Sequence, residues 1–436
     1  MKTTNIYFIW LLLFFISCSP DPEKTSEDEF PLKSDINNGG LVLPDHFNAL
    51  VVVDSLITEG GQARQIAVNE NGDIYVILRK INNGGSMAAL RDTTGDGKAD
   101  IIEYFGDYAG RGLELHDDYL YFTTDTSIYR QQLTPGNLVP QAEPELIVGN
   151  FIDQGAHAAK PMAFDNAGNL FVTIGAPANA CQEQSRTPGS PGQDPCPLLD
   201  QHGGIWKYSA SEPNQHAYDD GQRYATGIRH AVAIAWNDDL DQLYAVQHGR
   251  DQLGTLFSEH YNNEDNANLP AEEFLKIDEG DNFGWPYCYY DGLNNVKELS
   301  PEYGGDGQEI GRCEQYENPI YDFPAHLAPN DLLFYQASQF PEKYTDGAFV
   351  AFHGSWNRAP LPQEGYNVAF LKFENGSPVG EHEVFAGGFA NEDTINSPGD
   401  ADYRPCGITV GPDGSLYIVE SKKGKVWRVF YNKDDN

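Results

Sequence analysis

One short unit recurs along this chain, and its last copy shows the pattern most plainly. Between Tyr403 and Val429 three apolar runs alternate with tight corners. Ile408-Thr409-Val410 leads into Gly411-Pro412-Asp413-Gly414, Leu416-Tyr417-Ile418-Val419 into a Lys-Lys-Gly-Lys turn, and Val426-Trp427-Arg428-Val429 closes the unit. Gly414 suits the positive φ of a hairpin corner, and Pro412 presets the bend before it. Runs of this length, alternating or solidly apolar between turn residues, predict strands. Arg404 stands just before the first of them.

The same strand, turn, strand signal recurs at residues 65–78, 112–124, 161–175, 231–247, 332–353 and 406–421, six units in all. No long segment carries a helical period. Each unit is a small antiparallel sheet with two apolar faces, and such sheets bury both faces only when packed side by side. Radial packing gives an all-β, six-bladed β-propeller around a central channel. The first strand of every blade then lines the channel, so residues at the start of first strands converge although they are far apart in sequence. Insertions at 176–202, 250–281 and 287–330 place long loops on one face, where binding sites are built. The content of 44 Gly and 27 Pro in 436 residues agrees with a turn-rich β fold.

The ends read differently. Lys2 precedes an apolar stretch, Ile6 to Ile16, that is too short for a membrane span and ends in Phe15-Ile16-Ser17-Cys18. This resembles a bacterial lipoprotein box. Residues 1–18 are therefore expected to be a signal peptide, Cys18 the lipidated residue, and the mature chain an exported, membrane-anchored lipoprotein. Residues 19–40 are polar and acidic and read as a flexible tether, leaving 41–436 for the propeller. Export suits disulfides between Cys181 and Cys196 and between Cys288 and Cys313, with Cys406 left as a buried thiol. No Cys-x-x-Cys-His haem attachment motif occurs.

The formal charge is −37, with only 28 Lys and Arg. A nucleic-acid partner is excluded by such a field. Any anionic ligand must be gripped by a local cationic cluster. The convergent positions supply one: Arg111, His157, Lys160, Arg229, His230, Gly249, Arg250, His326, His353, Arg358 and Arg404.

The segments around these residues follow a recognisable order. His157-Ala-Ala-Lys160, Gly227-Ile-Arg229-His230, Gln247-His-Gly249-Arg250-Asp251, Asn282-Phe-Gly-Trp-Pro286, His353-Gly-Ser-Trp-Asn-Arg358 and Arg404-Pro405 run through the chain. Together they resemble the sorbosone and soluble glucose (pyranose) dehydrogenase family, six-bladed propellers that use pyrroloquinoline quinone (PQQ). The resemblance covers about residues 41–432. It implies a PQQ-dependent oxidation of an aldose or sugar aldehyde, with electrons passed to a separate acceptor. His157 matches the catalytic base that takes the sugar hydroxyl proton while hydride passes to the quinone. Arg229 and Arg404 match residues that hold the cofactor near its reactive carbonyl, Arg111 falls at a polar cofactor contact, and Lys160 or Arg358 supplies a further cation. The resemblance also implies a Ca²⁺ on the quinone oxygen, with Gly249 and Arg250 at the backbone positions that help to bind it.

Two positions depart from the glucose dehydrogenases. His230 replaces an Asn after the cofactor Arg, and Ala156 replaces the Asp before the base. A second calcium candidate is the run Asp92 to Asp100 with Glu103, spaced like an EF-hand loop but flanked by strand-like residues. Two further readings stay open: a calcium-dependent lactonase-type propeller, and a non-catalytic propeller that binds glycans or proteins.

Overall fold

A computed structural model describes residues 1, 32–58 and 60–433. Sheets built on four antiparallel strands are arranged as six blades, and the second blade gains a short parallel edge strand, Gln215–His216. Blade 1 runs Ala63–Val68, Ile74–Asn82, Gly85–Arg91 and Ile101–Phe105 from the channel outward. Blade 2 runs Leu113–His116, Tyr119–Thr123, Ile128–Gln132 and Glu145–Gly149, and blade 3 runs Met162–Phe164, Asn169–Ile174, Gly204–Ser209 and Gln222–Thr226. Blade 4 holds Ala231–Asn237, Gln242–Gln247, Glu272–Ile277 and Tyr321–Phe323, and blade 5 holds Pro329–Phe334, Ala348–Phe352, Asn367–Leu371 and Glu383–Ala386. Blade 6 is composite. Its inner strands Pro405–Val410, Leu416–Glu420 and Val426–Tyr431 come from the end of the chain, and its outer strand Phe47–Val53 comes from the start. Antiparallel pairing of Phe47 with Tyr431 through Val53 with Val426 closes the ring with backbone hydrogen bonds.

The strand period explains the packing. Along Leu416–Glu420, Leu416 and Ile418 enter a cluster shared with blade 5, whereas Tyr417 and Val419 enter one shared with blade 1. Alternate side chains thus face opposite neighbours, so inner strands are apolar on both faces. Six apolar clusters fill the six gaps between blades.

Several expectations shift. Residues 32–40, expected in the tether, belong to the propeller: Asp35 accepts from Val51 N, Asn38 from Ala49 N, and Gly39 O from the Trp427 indole. Cys18 and residues 2–31, where the signal peptide and most of the tether are expected, lie outside the described residues. The insertion 250–281 contains a third blade strand, Glu272–Ile277, and 287–330 contains the fourth, Tyr321–Phe323. The Asp92–Asp100 run is a polar turn in which the carboxylates of Asp92 and Asp100 accept from the amides of Thr93, Thr94, Gly95 and Gly97. Glu103 lies beyond it in a strand, opposite Ala89. Both disulfides form as expected, Cys406 is a buried free thiol, and the four paired cysteines meet in one apolar cluster with Trp285 and Tyr287. That cluster packs the 176–202 and 282–316 loops against each other.

Candidate functional site

Four inner strands carry an irregularity at the same level, near their first residues. The register shifts between Ala63 and Ile66, between Ala231 and Ala233, between Pro329 and Asp331, and between Pro405 and Gly407. A bulge leaves one residue unpaired and turns its side chain out of the alternation. The residues so released are Arg64, Gln65, Val232, Asn330 and Cys406, and all five line one cavity of about 260 Å³ at the channel mouth. Arg79, Arg111, His157, His230, His248 and His353 line it too, so every blade contributes. None of the lining residues is Asp or Glu.

Arginines dominate one side. Burial pushes the Arg64 guanidinium down to about 10, and Arg111, Arg79 and Arg404 push in the same direction. Arg64 and Arg79 share the amide oxygen of Gln62, yet Arg64 Nε is buried with no partner. Arg111 is tied to Asp125. Arg404 stands behind the wall, donating to the carbonyls of His353 and Gly354 at 3.0 and 2.5 Å.

Imidazoles make the other side. His157 adopts φ +53°, a strained left-handed conformation held by Gln154, whose amide donates to the carbonyls of Ala156, His157 and Gly175. His157 Nδ1 lies 2.5 Å from Ala176 O. A carbonyl only accepts, so Nδ1 carries the proton and Nε2 keeps its lone pair. The Ala176 carbonyl therefore orients this ring, the task that an Asp at position 156 would otherwise perform. Burial and then Arg229 lower His157 to about 3, so the ring is neutral at ordinary pH. His230 stacks on His157 at 4.5 Å and 21°, and His248 meets His230 at 5.0 Å with its ring tilted by 45°. Gly175 makes room for this stack, since a Cβ there would meet His157 O and His230 Nδ1 at 2.7 Å. His248 Nε2 donates to Pro329 O at 2.8 Å, and burial lowers this ring to about 4.

Residues 42–432 match the family described as TrAA12-like. The chain belongs to the TrAA12-like family. A pyrroloquinoline quinone-dependent pyranose dehydrogenase of Coprinopsis cinerea is 24% identical over 234 residues, covering 48% of this chain and 31% of that protein. An uncharacterized protein of Borreliella burgdorferi is 28% identical over 212 residues, 48% of each chain. The chain thus spans about half the length of the second relative and about a third of the first. The calcium structure of Trichoderma reesei family AA12 superposes with a TM-score of 0.72 at 17% identity, covering 91% of this chain and 98% of that one. The holo form of the pyranose dehydrogenase PQQ domain from Coprinopsis cinerea gives 0.69 at 16%, covering 89% and 97%. At such identities the superpositions speak for the fold, a six-bladed propeller.

In this TrAA12-like chain the structure gathers only part of the expected site. Arg111, His157, His230 and His353 line the cavity, and Arg404 backs it. Arg229 does not line it. Its guanidinium is used up by Asn179, by Gly249 O at 2.8 Å and by Asp251 at 2.9 Å, and acts as a brace behind the histidines. Lys160 is fully buried and donates to Ala158 O, with burial lowering it to about 8. Arg358 is held by Pro362 O, Ala267 O and Glu364. Arg250 forms a buried ion pair with Glu302. His326 Nε2 lies against the carbonyls of Asn266 and Leu269, away from the cavity.

The calcium expectation at Gly249 and Arg250 does not fit this donor set. Gly249 O already accepts from a guanidinium, and a dication there would face that charge at contact distance. Among the described residues no three His, Cys, Asp or Glu come together as ligands. Sequence reasoning missed Arg64, Gln65, Arg79, His248, Asn330 and Cys406 as lining residues.

Proposed function

We propose that this chain is a PQQ-dependent dehydrogenase that oxidises an aldose or a sugar aldehyde. The observation that carries the reading is the upper cavity: three arginines, four neutral histidines and no carboxylate in a protein of charge −37. PQQ bears three carboxylates, and guanidinium forks match planar carboxylates. Arg64, with its unpartnered Nε, is the first such donor, and Arg79 and Arg111 are the next. When bound, PQQ supplies an electrophilic quinone that accepts the hydride of the sugar carbon. His157 Nε2 takes the proton of the sugar hydroxyl, and Ala176 O steadies the imidazolium through Nδ1–H. His230 and Gly175 fix the ring plane. The pyranose dehydrogenase relative acts on pyranoses by name, which favours an aldose substrate. No step of this reading runs through calcium.

The lactonase-type alternative needs carboxylates gathered around a channel-centred cation; the upper cavity has none, and among the described residues the carboxylates of the lower channel do not come together as a set of three ligands. Titrating the purified protein with PQQ, followed by absorbance, tests the proposal. Saturable binding with sugar-dependent dye reduction is expected. Absence of PQQ binding would return the chain to a binding propeller. The proposal extends to location: a lipidated Cys18 would hold the protein at a membrane, since two acyl chains anchor stably. Cys18→Ala should release it to the soluble fraction on cell fractionation, and unchanged membrane association would remove the anchor.

A further inference from the structure

Three residues from two blades close a polar circuit in and behind the wall of the upper cavity. His353 follows the second strand of blade 5, Ala348–Phe352, and Ser421 follows the second strand of blade 6, Leu416–Glu420. Arg404 precedes the inner strand of blade 6. Arg404 Nε donates to His353 O at 3.0 Å, Ser421 N donates to Arg404 O at 2.9 Å, and Ser421 Oγ lies 2.8 Å from His353 Nε2. The circuit is also anchored outward. His353 N donates to Ala328 O, and Ser421 O accepts from Ala63 N, one residue before Arg64. Ser421 is 1% exposed and does not line the cavity, whereas His353, 8% exposed, does.

The hydroxyl settles which nitrogen of His353 carries the proton. Burial, then Arg404, Arg64 and His248, holds this imidazole well below its ordinary pKa, so it is neutral and has one N–H. Among the described residues Ser421 Oγ has no hydrogen-bond partner except His353 Nε2. Were Nε2 the protonated nitrogen, the buried hydroxyl hydrogen would have no acceptor, and its desolvation would go uncompensated. With the hydroxyl donating, Nε2 accepts and the proton sits on Nδ1. Nδ1 is the remaining polar atom of a side chain that lines the cavity with Arg64. His353 thus presents an uncharged N–H, whereas His157 presents a lone pair.

We propose that Ser421 is a positioning residue that fixes His353 as a neutral hydrogen-bond donor to the anionic cofactor. The inference rests on the dehydrogenase reading. Arg64, Arg79 and Arg111 already bring like charges together in a cavity lined by no carboxylate. A further cation would add repulsion to the unloaded protein, whereas an N–H adds a donor without a charge. Arg404 acts through the same circuit. It holds the His353 carbonyl from behind the wall, and its charge disfavours a second proton on the imidazole. The arrangement also bars His353 from serving as a base, because Ser421 occupies its one lone pair.

Histidine nitrogen-15 NMR spectra of the unloaded protein read the tautomer directly, with His353→Leu identifying the signals. In the wild type Nδ1 should be protonated and Nε2 bare. Ser421→Ala removes the hydroxyl alone, and the Nε2 resonance should move toward its protonated value. In titrations with PQQ, Ser421→Ala and His353→Leu should each bind about 10- to 100-fold more weakly, the range for one hydrogen bond to a charged acceptor. His353→Asn, whose side-chain amide nitrogen falls near the place of Nδ1, should keep most of the affinity. A protonated Nε2 in the wild type would overturn the proposal. So would wild-type PQQ affinity in Ser421→Ala or His353→Leu, or equal losses in His353→Asn and His353→Leu. Failure of the wild-type protein to bind PQQ would overturn the dehydrogenase reading and this role with it, and the spectra would still report the tautomer that Ser421 sets.

Discussion

Replacing His157 by alanine is expected to lower kcat by roughly 10²–10⁴-fold while PQQ affinity stays intact, because a positioned base contributes about that much. The geometry assigns this ring the role. Its Nδ1 proton is committed to Ala176 O, which leaves Nε2 as the lone pair available in the cavity. The backbone at His157 is strained, and Gln154 fixes it through three carbonyls. The sign of the pH dependence follows from the lowered pKa. A base that is protonated only below about pH 3 stays competent throughout the neutral range. The profile of kcat/KM should therefore show no limb near 6.5 that disappears in the variant. Stopped-flow dye reduction with saturating PQQ measures both. Full activity in His157→Ala would move the base to His248, the other ring in the stack whose outward nitrogen is bound to a carbonyl.

The fold was legible because a propeller repeats one local rule. Apolar runs of about five residues and their turn residues gave all six inner pairs, and the alternation seen at Leu416–Glu420 follows from the strand period. The site was legible where it depends on chain position, as at His157, His230 and His353, each just before or after a blade strand. It was illegible where a bulge decides. Arg64 and Cys406 fall within regular-looking strand sequences, and only the register shifts at 63–66 and 405–407 turn them into the channel. Nothing in sequence distinguishes Arg64 from Arg91, which ends a strand of the same blade and pairs with Asp73. Arg229 misled for the opposite reason. Its neighbour motif fits a cofactor arginine, but Asp251 lies 22 residues away and captures it in space.

The contrast between Arg64 and Arg229 makes the second large prediction. Arg64→Gln should weaken PQQ binding by about 2–4 kcal/mol, roughly 30- to 700-fold, the range for losing one partner of a buried charge pair. The unloaded protein should not suffer. Arg64 is enclosed next to Arg79, Arg111 and Arg404 with an unpartnered Nε, so removing its charge relieves like-charge repulsion and should raise the melting temperature. Cofactor anions supply what the fold withholds, and PQQ should therefore stabilise the wild-type protein more than the variant. Arg229→Gln should behave in reverse. It leaves Asp251 buried beside fewer donors, with Arg186 as its remaining ionic partner, which costs stability before any ligand is present. Melting curves with and without PQQ, together with PQQ titrations, read out both variants. An Arg64 variant that melts lower and binds PQQ normally, beside an Arg229 variant that melts normally and loses PQQ, would exchange their roles and return the cofactor grip to the residue that the sequence motif favoured.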